Sequence, residues 1–335
     1  MKCIMSPFNR CFLNIASEEY YLNCFDDDIF YLYINAPCVI IGRHQNAYAE
    51  VNHDYVKKSG IEVVRRNSGG GAVYHDFGNL NYGFITKSGG ADARDVFLEF
   101  TKPILRILND LGARAVFSGR NDLLIDGKKF SGNALYYFKN KVLIHGTLLF
   151  SSDLEQVSKS LNADPRKFEG KGVKSVRSRV TNILPHLTAP KTIDEFSSII
   201  MEEITGEFSG ARMYELTKGD CERIEALSDK KYSTWEWNYG NSPDFNCRNT
   251  LKYDLGLIDI GVKAEAGTIK EIAVYGDFFG KKDLDEVLLS LKGLKFDEAA
   301  VSKALDGVSI ADYIFGLSNE AFLNCLFGGP QAAIS

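Results

Sequence analysis

The spacing of apolar residues changes along the first third of the chain, and each spacing predicts a different element. Residues 15–25 follow a helical spacing and lead into three consecutive aspartates. Residues 29–34 and 39–41 are runs of β-branched, aliphatic and aromatic side chains on either side of Asn35-Ala36-Pro37, which predicts two strands joined by a turn. Shorter runs predict three more strands, at residues 61–64, 71–75 and 80–85.

Helical patterns recur further along the chain. Residues 97–111 carry apolar side chains at a 3.6-residue spacing that ends at Gly112. Pro103 within this stretch predicts a kink or a late helix start. Later helices are predicted at residues 154–161, 193–204, 284–291, 299–305 and 320–326.

Between these helices lies a block of β pattern. Asp126-Gly127 separates apolar runs at residues 123–125 and 129–138, and Asp-Gly between such runs is a strong hairpin signal. Lys129 is therefore predicted on a strand just past a tight turn, which is a rigid place for a functional side chain. Further strands are predicted at residues 142–150 and, as a separate hairpin, at 255–262 and 268–275.

The order of these elements indicates the fold class and the domain organisation. Strands and helices alternate without strict βαβ repetition, which favours an α+β fold with mixed β-sheets flanked by helices. The polar, turn-rich residues 238–244 mark the best boundary. We expect a large domain over residues 1–240 and a small α+β domain over 247–335.

Composition narrows the class of protein. Apolar residues make up 45% and charged residues 25% of 335, as in ordinary soluble globular proteins, and no apolar run is long enough for a membrane helix. The first ten residues lack a signal-peptide core, so we expect a cytoplasmic protein without a membrane partner. Seven scattered cysteines without a CxxC pair and five dispersed histidines predict reduced thiols and no permanent metal.

The net charge of −5 is unevenly distributed. Residues 62–180 contain 19 Lys and Arg against 12 Asp and Glu, so the rest of the chain is strongly acidic. Concentrated positive charge attracts anions, although ordinary surface variation gives the same count. The decisive question is whether this stretch also carries phosphate-binding chemistry.

The segment with the most site-like composition is residues 65–76, RRNSGGGAVYHD. Three consecutive glycines are costly to order, and they allow backbone N–H groups to approach a ligand closely. Two arginines just before them supply donors suited to phosphate or carboxylate. The segment is neither a P-loop nor a GxGxxG fingerprint. A flexible loop with incidental arginines remains the alternative.

A second cluster lies around the predicted hairpin. In residues 127–134 small side chains follow Lys129, so its ammonium could meet a ligand lying across the strand. Asn121 and Asp122 offer an amide and a carboxylate, and the carboxylate could hold Mg²⁺ carried by a nucleotide. His145-Gly146-Thr147 adds a small polar patch. A solvent-facing lysine and a core histidine are the plainer interpretations.

The third cluster is strongly basic. Residues 166–179 hold six basic residues and one acid. This pattern fits a mobile flap over an anionic ligand, a docking surface for an acidic partner, or a solvated loop.

In this order and spacing, the clusters resemble those of the lipoate–protein ligases. The matching segments are RRNSGGGAVYHDFGN, KKFSGNA, HGTLLF and GVKSVRSRVTN, and the final ~85 residues resemble that family's small accessory domain. The resemblance implies a biotin/lipoate ligase-like fold and a two-step reaction. Lipoate and MgATP would give lipoyl-AMP and pyrophosphate, and the acyl group would then pass to one lysine of an apo lipoyl domain.

The resemblance also assigns roles to individual residues. Lys129 is the expected catalytic residue, contacting the carboxylate–phosphate junction and the lipoyl carbonyl, and Asp122 is the expected Mg²⁺ contact. ATP or lipoyl-AMP would be bound by Arg66, Gly71, Ala72, Val73, Tyr74, Asn79, Asn121, Asp122 and Lys129. Lipoate would be bound by Ser68, Gly70, Gly71, His75, Lys129, His145 and Gly146. Lys174, Arg177 and Ser178 would belong to the flap, and Asn67 stands where some relatives carry a basic residue.

The resemblance implies partners as well. The expected acceptors are lipoyl domains of 2-oxoacid dehydrogenase acyltransferase subunits or the glycine-cleavage H protein, the small substrate is lipoate or octanoate, and nucleic acid is not expected. The protein is expected to be a monomer.

Other classes of function stay open at this point. A cysteine-dependent acyltransferase is disfavoured because no cysteine occurs between Cys38 and Cys221, where the motifs lie. An amidotransferase that accepts a preformed lipoyl group and a non-enzymatic lipoate-binding module would both keep similar motifs. The Gly-Arg-Gly-Arg signature of biotin ligases is missing.

Overall fold

An eight-stranded mixed sheet forms the centre of the computed structural model, which describes residues 1–89, 93–119, 121–162, 179–239, 247–265 and 267–327 without the side chains of 48, 49 and 53. Its strands are β1 Lys2–Met5, β2 Ile29–Ile34, β6 Asn79–Lys87, β7 Ala115–Ser118, β8 Asp122–Ile125, β9 Lys128–Phe138, β10 Lys141–Leu149 and β11 Arg212–Met213. Their order in the sheet is β11-β1-β2-β6-β10-β9-β8-β7. β1 runs parallel to β2 and β11, and the other neighbours are antiparallel.

A small second sheet contributes the other wall of the site described below. It consists of β3 (Cys38–Ile41) between β4 (Glu62–Arg65), which is parallel to it, and β5 (Val73–His75), which is antiparallel. Residues 66–72 connect β4 to β5, and we call them the glycine loop. The loop is therefore held at both ends by strands that pair with β3.

Helices cover both faces of the large sheet because its central strands are apolar on both faces. On β2, Phe30 and Leu32 pack with the side of the sheet that contacts α4 (Ala93–Asp110) and α6 (Ile193–Glu207), whereas Tyr31 and Tyr33 pack towards α1 (Cys11–Cys24). The helices of this part are α1 Cys11–Cys24, α2 Ala47–Glu50, α3 His53–Lys58, α4 Ala93–Asp110, α5 Leu154–Ser160, α6 Ile193–Glu207, α7 Lys218–Leu227 and α8 Trp235–Asn238. A short π-helical turn, Ser228–Tyr232, and a 3₁₀ turn, Leu184–His186, complete it.

Residues 247–327, called the C-terminal segment here, have a sheet and a hydrophobic cluster of their own. The antiparallel strands are β12 Cys247–Tyr253, β13 Gly256–Glu265 and β14 Thr268–Gly276, and the helices are α9 Leu284–Leu291, α10 Glu298–Ala304 and α11 Asn319–Phe327, with a 3₁₀ turn at Ile310–Asp312. Most of the expected boundary lies outside the described residues, so the division at 240 and 247 stays a prediction.

The C-terminal segment contacts the rest of the chain close to the glycine loop. The N–H of Gly70 donates to the carbonyl of Phe278 at 3.1 Å, and the imidazole of His44 stacks on the Phe278 ring at 4.6 Å between centroids. Arg43 forms ion pairs with Asp283 and Asp285 at 3.4 and 3.2 Å. A movement of either part would therefore disturb the loop.

The structure confirms the α+β class and most of the predicted strands and helices. Asp126 and Gly127 have φ of 49° and 75°, the left-handed pair that a tight Asp-Gly hairpin requires. Helix α4 begins at Ala93 and continues through Pro103, so the late helix start is wrong. The strands β1, β7, β11 and β12 and the helices α2, α3, α7 and α8 were not predicted.

The described part of the chain contains no disulfide, no group of side chains arranged for a metal ion and no helix suited to a bilayer. All seven cysteines lie in this part, and each is a free thiol. Within the ranges given above, no group of three or more His, Cys, Asp or Glu side chains is arranged to hold a metal ion. None of the helices in those ranges has the length and apolar content needed to cross a bilayer.

Candidate active site

A cavity of about 100 Å³ lies where the small sheet meets the large one. Its walls come from the glycine loop and β5 on one side and from β6, β9 and β10 on the other. It is lined by Ile15, Tyr33, Ile40, Arg66, Gly70, Gly71, Ala72, Val73, His75, Asn81, Asn121, Lys129, Gly132, Asn133, Ala134, His145, Gly146 and Thr147. Sites that enclose drug-sized ligands usually measure about 300–1,000 Å³, so a nucleotide-sized ligand would extend beyond this cavity or displace part of its wall.

The cavity brings together most of the residues that the sequence nominated. The ten that line it are Arg66, Gly70, Gly71, Ala72, Val73, His75, Asn121, Lys129, His145 and Gly146. Segments separated by up to 80 residues thus meet around one space. The flap residues Lys174, Arg177 and Ser178 lie outside the described residues.

Four of the nominated side chains lie next to the cavity without lining it. Tyr74 points to the opposite face of β5, into a hydrophobic cluster with Val39, Ile41 and Val51, so only its backbone could meet a ligand. Asn79 is fully buried and donates to the Asn81 side chain at 2.9 Å. Ser68 and Asp122 contact lining residues and are described below.

Lys129 is held over the start of β9 by its neighbours. Its ammonium lies 2.7 Å from Asp122 Oδ1, and both side chains are a little over one-third exposed. A Cβ at Gly132 would come within 2.9 Å of the Lys129 Nζ, so the glycine leaves room for the ammonium. The expected Mg²⁺ carboxylate is therefore also the ion-pair partner of the expected catalytic lysine.

The glycine loop offers one open position and one that is already engaged. Gly70 has a φ of +88°, and its N–H is used by the Phe278 carbonyl. In this arrangement that N–H is not available to a phosphate. At Gly71 an added Cβ would meet no atom within 4 Å in the part of the chain that the structure describes, and the residue lines the cavity. Gly71 is thus the point where a missing side chain keeps the cavity open.

The two arginines before the glycines hold main chain in place. Arg65 does not line the cavity, and its guanidinium donates to the carbonyl oxygens of Gly42, Arg43, Gln45, Trp237 and Asn238. Arg66 lines the cavity but donates to the carbonyls of Gly69 and Gly71 at 2.6 and 2.9 Å. The expectation that both arginines present their donors to an anion is wrong for Arg65. Arg66 fixes the loop while bringing its charge to the cavity wall.

A buried carboxylate that the sequence did not suggest lies behind this wall. Glu18, 1% exposed, accepts from Tyr31 Oη at 2.9 Å and from His145 Nδ1 at 2.7 Å. His145 Nε2 lies 2.6 Å from Ser68 Oγ, which in turn accepts from Arg66 Nε at 2.9 Å. Ser68 is thereby a link between Arg66 and His145. Its burial excludes it as a nucleophile in this arrangement.

Burial and nearby charges set the protonation states of these hydrogen-bonded side chains. Burial lowers the pKa of Arg66 to about 10, which leaves it charged at neutral pH. Burial, together with the nearby Glu18 carboxylate, raises the pKa of Tyr31 and Tyr33 well above their usual value. The phenols therefore remain donors to Glu18, and the positive charge of Arg66 has a buried negative counterpart.

Comparison with known proteins shows the family of this chain. Two family models match, the lipoyl protein ligase A/B catalytic domain over residues 10–205 and the bacterial lipoate protein ligase C-terminus over 242–326. The lipoate-protein ligase LplJ of Bacillus subtilis is 41% identical over 319 residues, which cover 94% of this chain and 96% of LplJ. The chain belongs to the lipoate–protein ligase family.

Solved structures place the likeness in three dimensions. A lipoate-protein ligase A bound with ATP is 29% identical, with a TM-score of 0.62 over 72% of this chain and 99% of that one. A bipartite lipoate protein ligase from Thermoplasma acidophilum, described together with its E2 lipoyl domain, is 32% identical, with a TM-score of 0.63 over 73% of this chain and 98% of that one. Both cover about three quarters of this lipoate–protein ligase family member.

Several lining residues of this family member were missed from the sequence. Ile15, Tyr33 and Ile40 come from elements whose pattern is that of ordinary core. Asn81 had a usable signal, since it is a polar side chain inside an otherwise apolar strand. Glu18 had the same signal, a carboxylate inside the apolar spacing of α1.

The buried His75 predicts a loss of stability in acid. Burial, aided by the positive charge of Arg66, lowers the pKa of His75 to about 3, against an unfolded value near 6.5. The neutral ring's contribution is therefore complete above about pH 6.5 and is lost as the pH falls towards 3. We expect His75 alone to reduce the free energy of unfolding by about 2 kcal/mol between pH 7 and pH 5. Urea denaturation at both pH values, compared with His75→Gln, measures this. A His75→Gln variant that loses stability as steeply as the wild type would contradict it.

Proposed function

We propose that this chain is an ATP-dependent lipoate–protein ligase. It activates lipoate as lipoyl-AMP and transfers the lipoyl group to a lysine of an apo lipoyl domain. The observation that carries the proposal is the meeting of Lys129, the open Gly71 and the charge of Arg66 around one cavity. Family membership supports it, as does the similarity to a ligase bound with ATP.

The first step requires two anions to react. A carboxylate oxygen of lipoate attacks the α-phosphorus of ATP, a carboxyl–phosphate bond forms, and pyrophosphate leaves with the electrons of the broken P–O bond. A fixed ammonium beside the reacting oxygens reduces their repulsion as charge develops. Lys129 supplies that ammonium, and the Arg66 charge behind the glycine loop acts in the same direction.

Mg²⁺ belongs to this step as part of the nucleotide substrate. Magnesium prefers oxygen ligands and is commonly held by one or two carboxylates together with substrate phosphates. Asp122 is the carboxylate beside Lys129, and it fits that role only in part because Lys129 engages its Oδ1. When bound, the ion would neutralise phosphate charge.

The second step transfers the acyl group. The acceptor lysine, as a neutral amine, attacks the carbonyl carbon of the mixed anhydride and forms the C–N bond of an amide. The bond from that carbon to the phosphate oxygen breaks, AMP leaves with its electrons, and the nitrogen loses one proton to solvent. Positioning of the amine and the activated acyl group can supply much of the rate. The proposed partner is a lipoyl domain, like the E2 lipoyl domain that accompanies the Thermoplasma ligase. Which lipoyl domain is used, and whether octanoate replaces lipoate, stay predictions.

The proposal also includes the expected organisation and location. We place the catalytic domain at residues 1–240 and the accessory domain at 247–335, and the separate sheet and cluster of the C-terminal segment support this division. Seven free thiols suit the reducing cytoplasm. The monomeric state stays a prediction that light scattering of the purified protein measures.

One assay tests the function. The protein is incubated with ATP, Mg²⁺, lipoate and an apo lipoyl domain, and each component is omitted in turn. We expect the acceptor to gain the mass of one lipoyl group only in the complete mixture, and pyrophosphate to appear without the acceptor. Transfer without ATP would favour an acyltransferase, and no transfer with bound lipoate would favour a binding module.

A further inference from the structure

The side-chain amide of Asn14 has only one orientation that satisfies its neighbours. Asn14 Nδ2 lies 3.0 Å from the Phe8 carbonyl oxygen, which can only accept a hydrogen bond. The opposite end, Oδ1, accepts from Ser6 Oγ at 2.6 Å. The end of Asn14 that faces Phe8 is therefore the NH₂ group.

This orientation passes to the next amide and then to a histidine. Asn14 Nδ2 also donates to Asn35 Oδ1 at 2.7 Å. The NH₂ group of Asn35 must then face His75 Nδ1, which lies 3.0 Å away. Because that NH₂ group can only donate, Nδ1 must accept, and the proton of the neutral imidazole sits on Nε2.

The Nε2–H donor is buried, and it belongs to a ring that lines the cavity. His75 is 2% exposed and lines the cavity together with Lys129. Among the described residues no acceptor lies within hydrogen-bonding distance of Nε2. A buried donor without a partner is costly, and such groups are rare in folded proteins. A ligand oxygen would satisfy it.

We propose that Asn14 and Asn35 are positioning residues that hold His75 as its Nε2–H tautomer, so that this N–H donates to an oxygen of the bound acid or nucleotide. The inference rests on the proposed function, because carboxylate and phosphate oxygens can only accept. The other tautomer would turn a nitrogen lone pair towards those oxygens. Asn14 itself does not reach the cavity, and it acts through Asn35 and His75.

The substitution Asn35→Asp reverses the direction of the hydrogen bond between residue 35 and His75 Nδ1, and it changes the shape of the side chain very little. A carboxylate at position 35 still accepts from Asn14, but it requires a proton on His75 Nδ1, as the aspartate of a Ser-His-Asp triad does. At pH ~8.5 the neutral ring then presents a lone pair at Nε2. Asn9→Asp is the matched control. Asn9 is exposed, and its Nδ2 donates to the carbonyl of Ile34, the residue just before Asn35.

Two measurements test the proposal without turnover. Nitrogen-15 NMR of the imidazole rings, with His75 assigned by His75→Gln, should show Nε2 protonated in the wild type and in Asn9→Asp, and Nδ1 protonated in Asn35→Asp. Calorimetric titrations with lipoate alone and with MgATP alone should show affinity weakened ~10- to 100-fold by Asn35→Asp for the ligand that His75 contacts. If the affinity for lipoate falls, His75 contacts a carboxyl oxygen; if the affinity for MgATP falls, it contacts a phosphate oxygen.

The outcomes separate this inference from the proposed function. A wild type protonated at Nδ1 would overturn the inference, as would an Asn35→Asp variant that binds both ligands like Asn9→Asp despite the changed tautomer. If Asn35→Asp does not fold, the wild-type tautomer and the response of its Nε2–H signal to each ligand decide. Failure of the complete assay to form lipoyl-AMP would count against the function and leave the tautomer measurement intact.

Discussion

Lys129→Ala is expected to slow lipoate-dependent pyrophosphate release by at least ~100-fold while leaving the free energy of unfolding close to that of the wild type. Removing one preorganised donor from a site where charge develops costs about 2.7–4 kcal/mol of transition-state stabilisation. Stability should change little because the Lys129 side chain is 39% exposed and its ion pair with Asp122 lies near the surface. Single-turnover pyrophosphate release and urea denaturation measure the two quantities.

Lys128→Ala is the matched control for this prediction. Lys128 precedes Lys129 on β9, is exposed and does not line the cavity. It carries the same charge, so its loss reports any general effect of reducing the positive potential. Equal rates in the two variants, or a Lys129→Ala enzyme that releases pyrophosphate at the wild-type rate, would remove Lys129 from the mechanism.

The predictable part of the fold is the part with a strong local pattern. The β8–β9 hairpin follows from Asp126-Gly127 between apolar runs, and α6 from its helical spacing. β12 was not predicted because its sequence, CRNTLKY, is largely polar and only two of its seven residues are buried. β11 has two exposed residues and exists only through its pairing with β1. Such strands depend on partners that lie far away in the sequence.

The candidate site divides in a similar way. Its motifs were recognisable because glycines and charged residues are unusual inside apolar strands, and ten of the nominated residues do meet at the cavity. The arginines were harder to interpret, since charge alone does not tell whether a guanidinium serves a ligand or buried carbonyls. Arg65 serves carbonyls because it is 9% exposed and its donors need partners inside the protein.

Contacts made by the C-terminal segment could not be predicted from the sequence. The carbonyl of Phe278 takes the N–H of Gly70, and a Cβ at Gly69 would lie 1.9 Å from that carbonyl oxygen. Two glycines of the loop therefore serve contact with another part of the chain in this arrangement. Only Gly71 combines open space with a position on the cavity wall.

Gly71→Val is expected to lower adenylation by at least ~100-fold without destabilising the protein. A Cβ at Gly71 would meet no atom of the described residues within 4 Å, so this part of the fold has room for the side chain. That room is part of the space a ligand would use, and an isopropyl group there would displace reacting atoms held within fractions of an ångström. Gly70→Val differs, because Gly70 has a φ of +88° and its Cβ would lie 3.0 Å from Arg66 and the Phe279 ring. At position 70 we expect a loss of stability.

The control for Gly71→Val is the same substitution at Gly206. Gly206 lies in α6 and is exposed, and an added Cβ there would likewise have none of the described atoms within 4 Å. Pyrophosphate release and urea denaturation of the two variants should therefore differ only in activity: both folded, with Gly71→Val inactive and Gly206→Val active. Wild-type adenylation by Gly71→Val would show that the ligand passes elsewhere. Lys129 and the glycine loop meet at the cavity wall around Gly71. That result would therefore show that Lys129 and the glycine loop do not form one site.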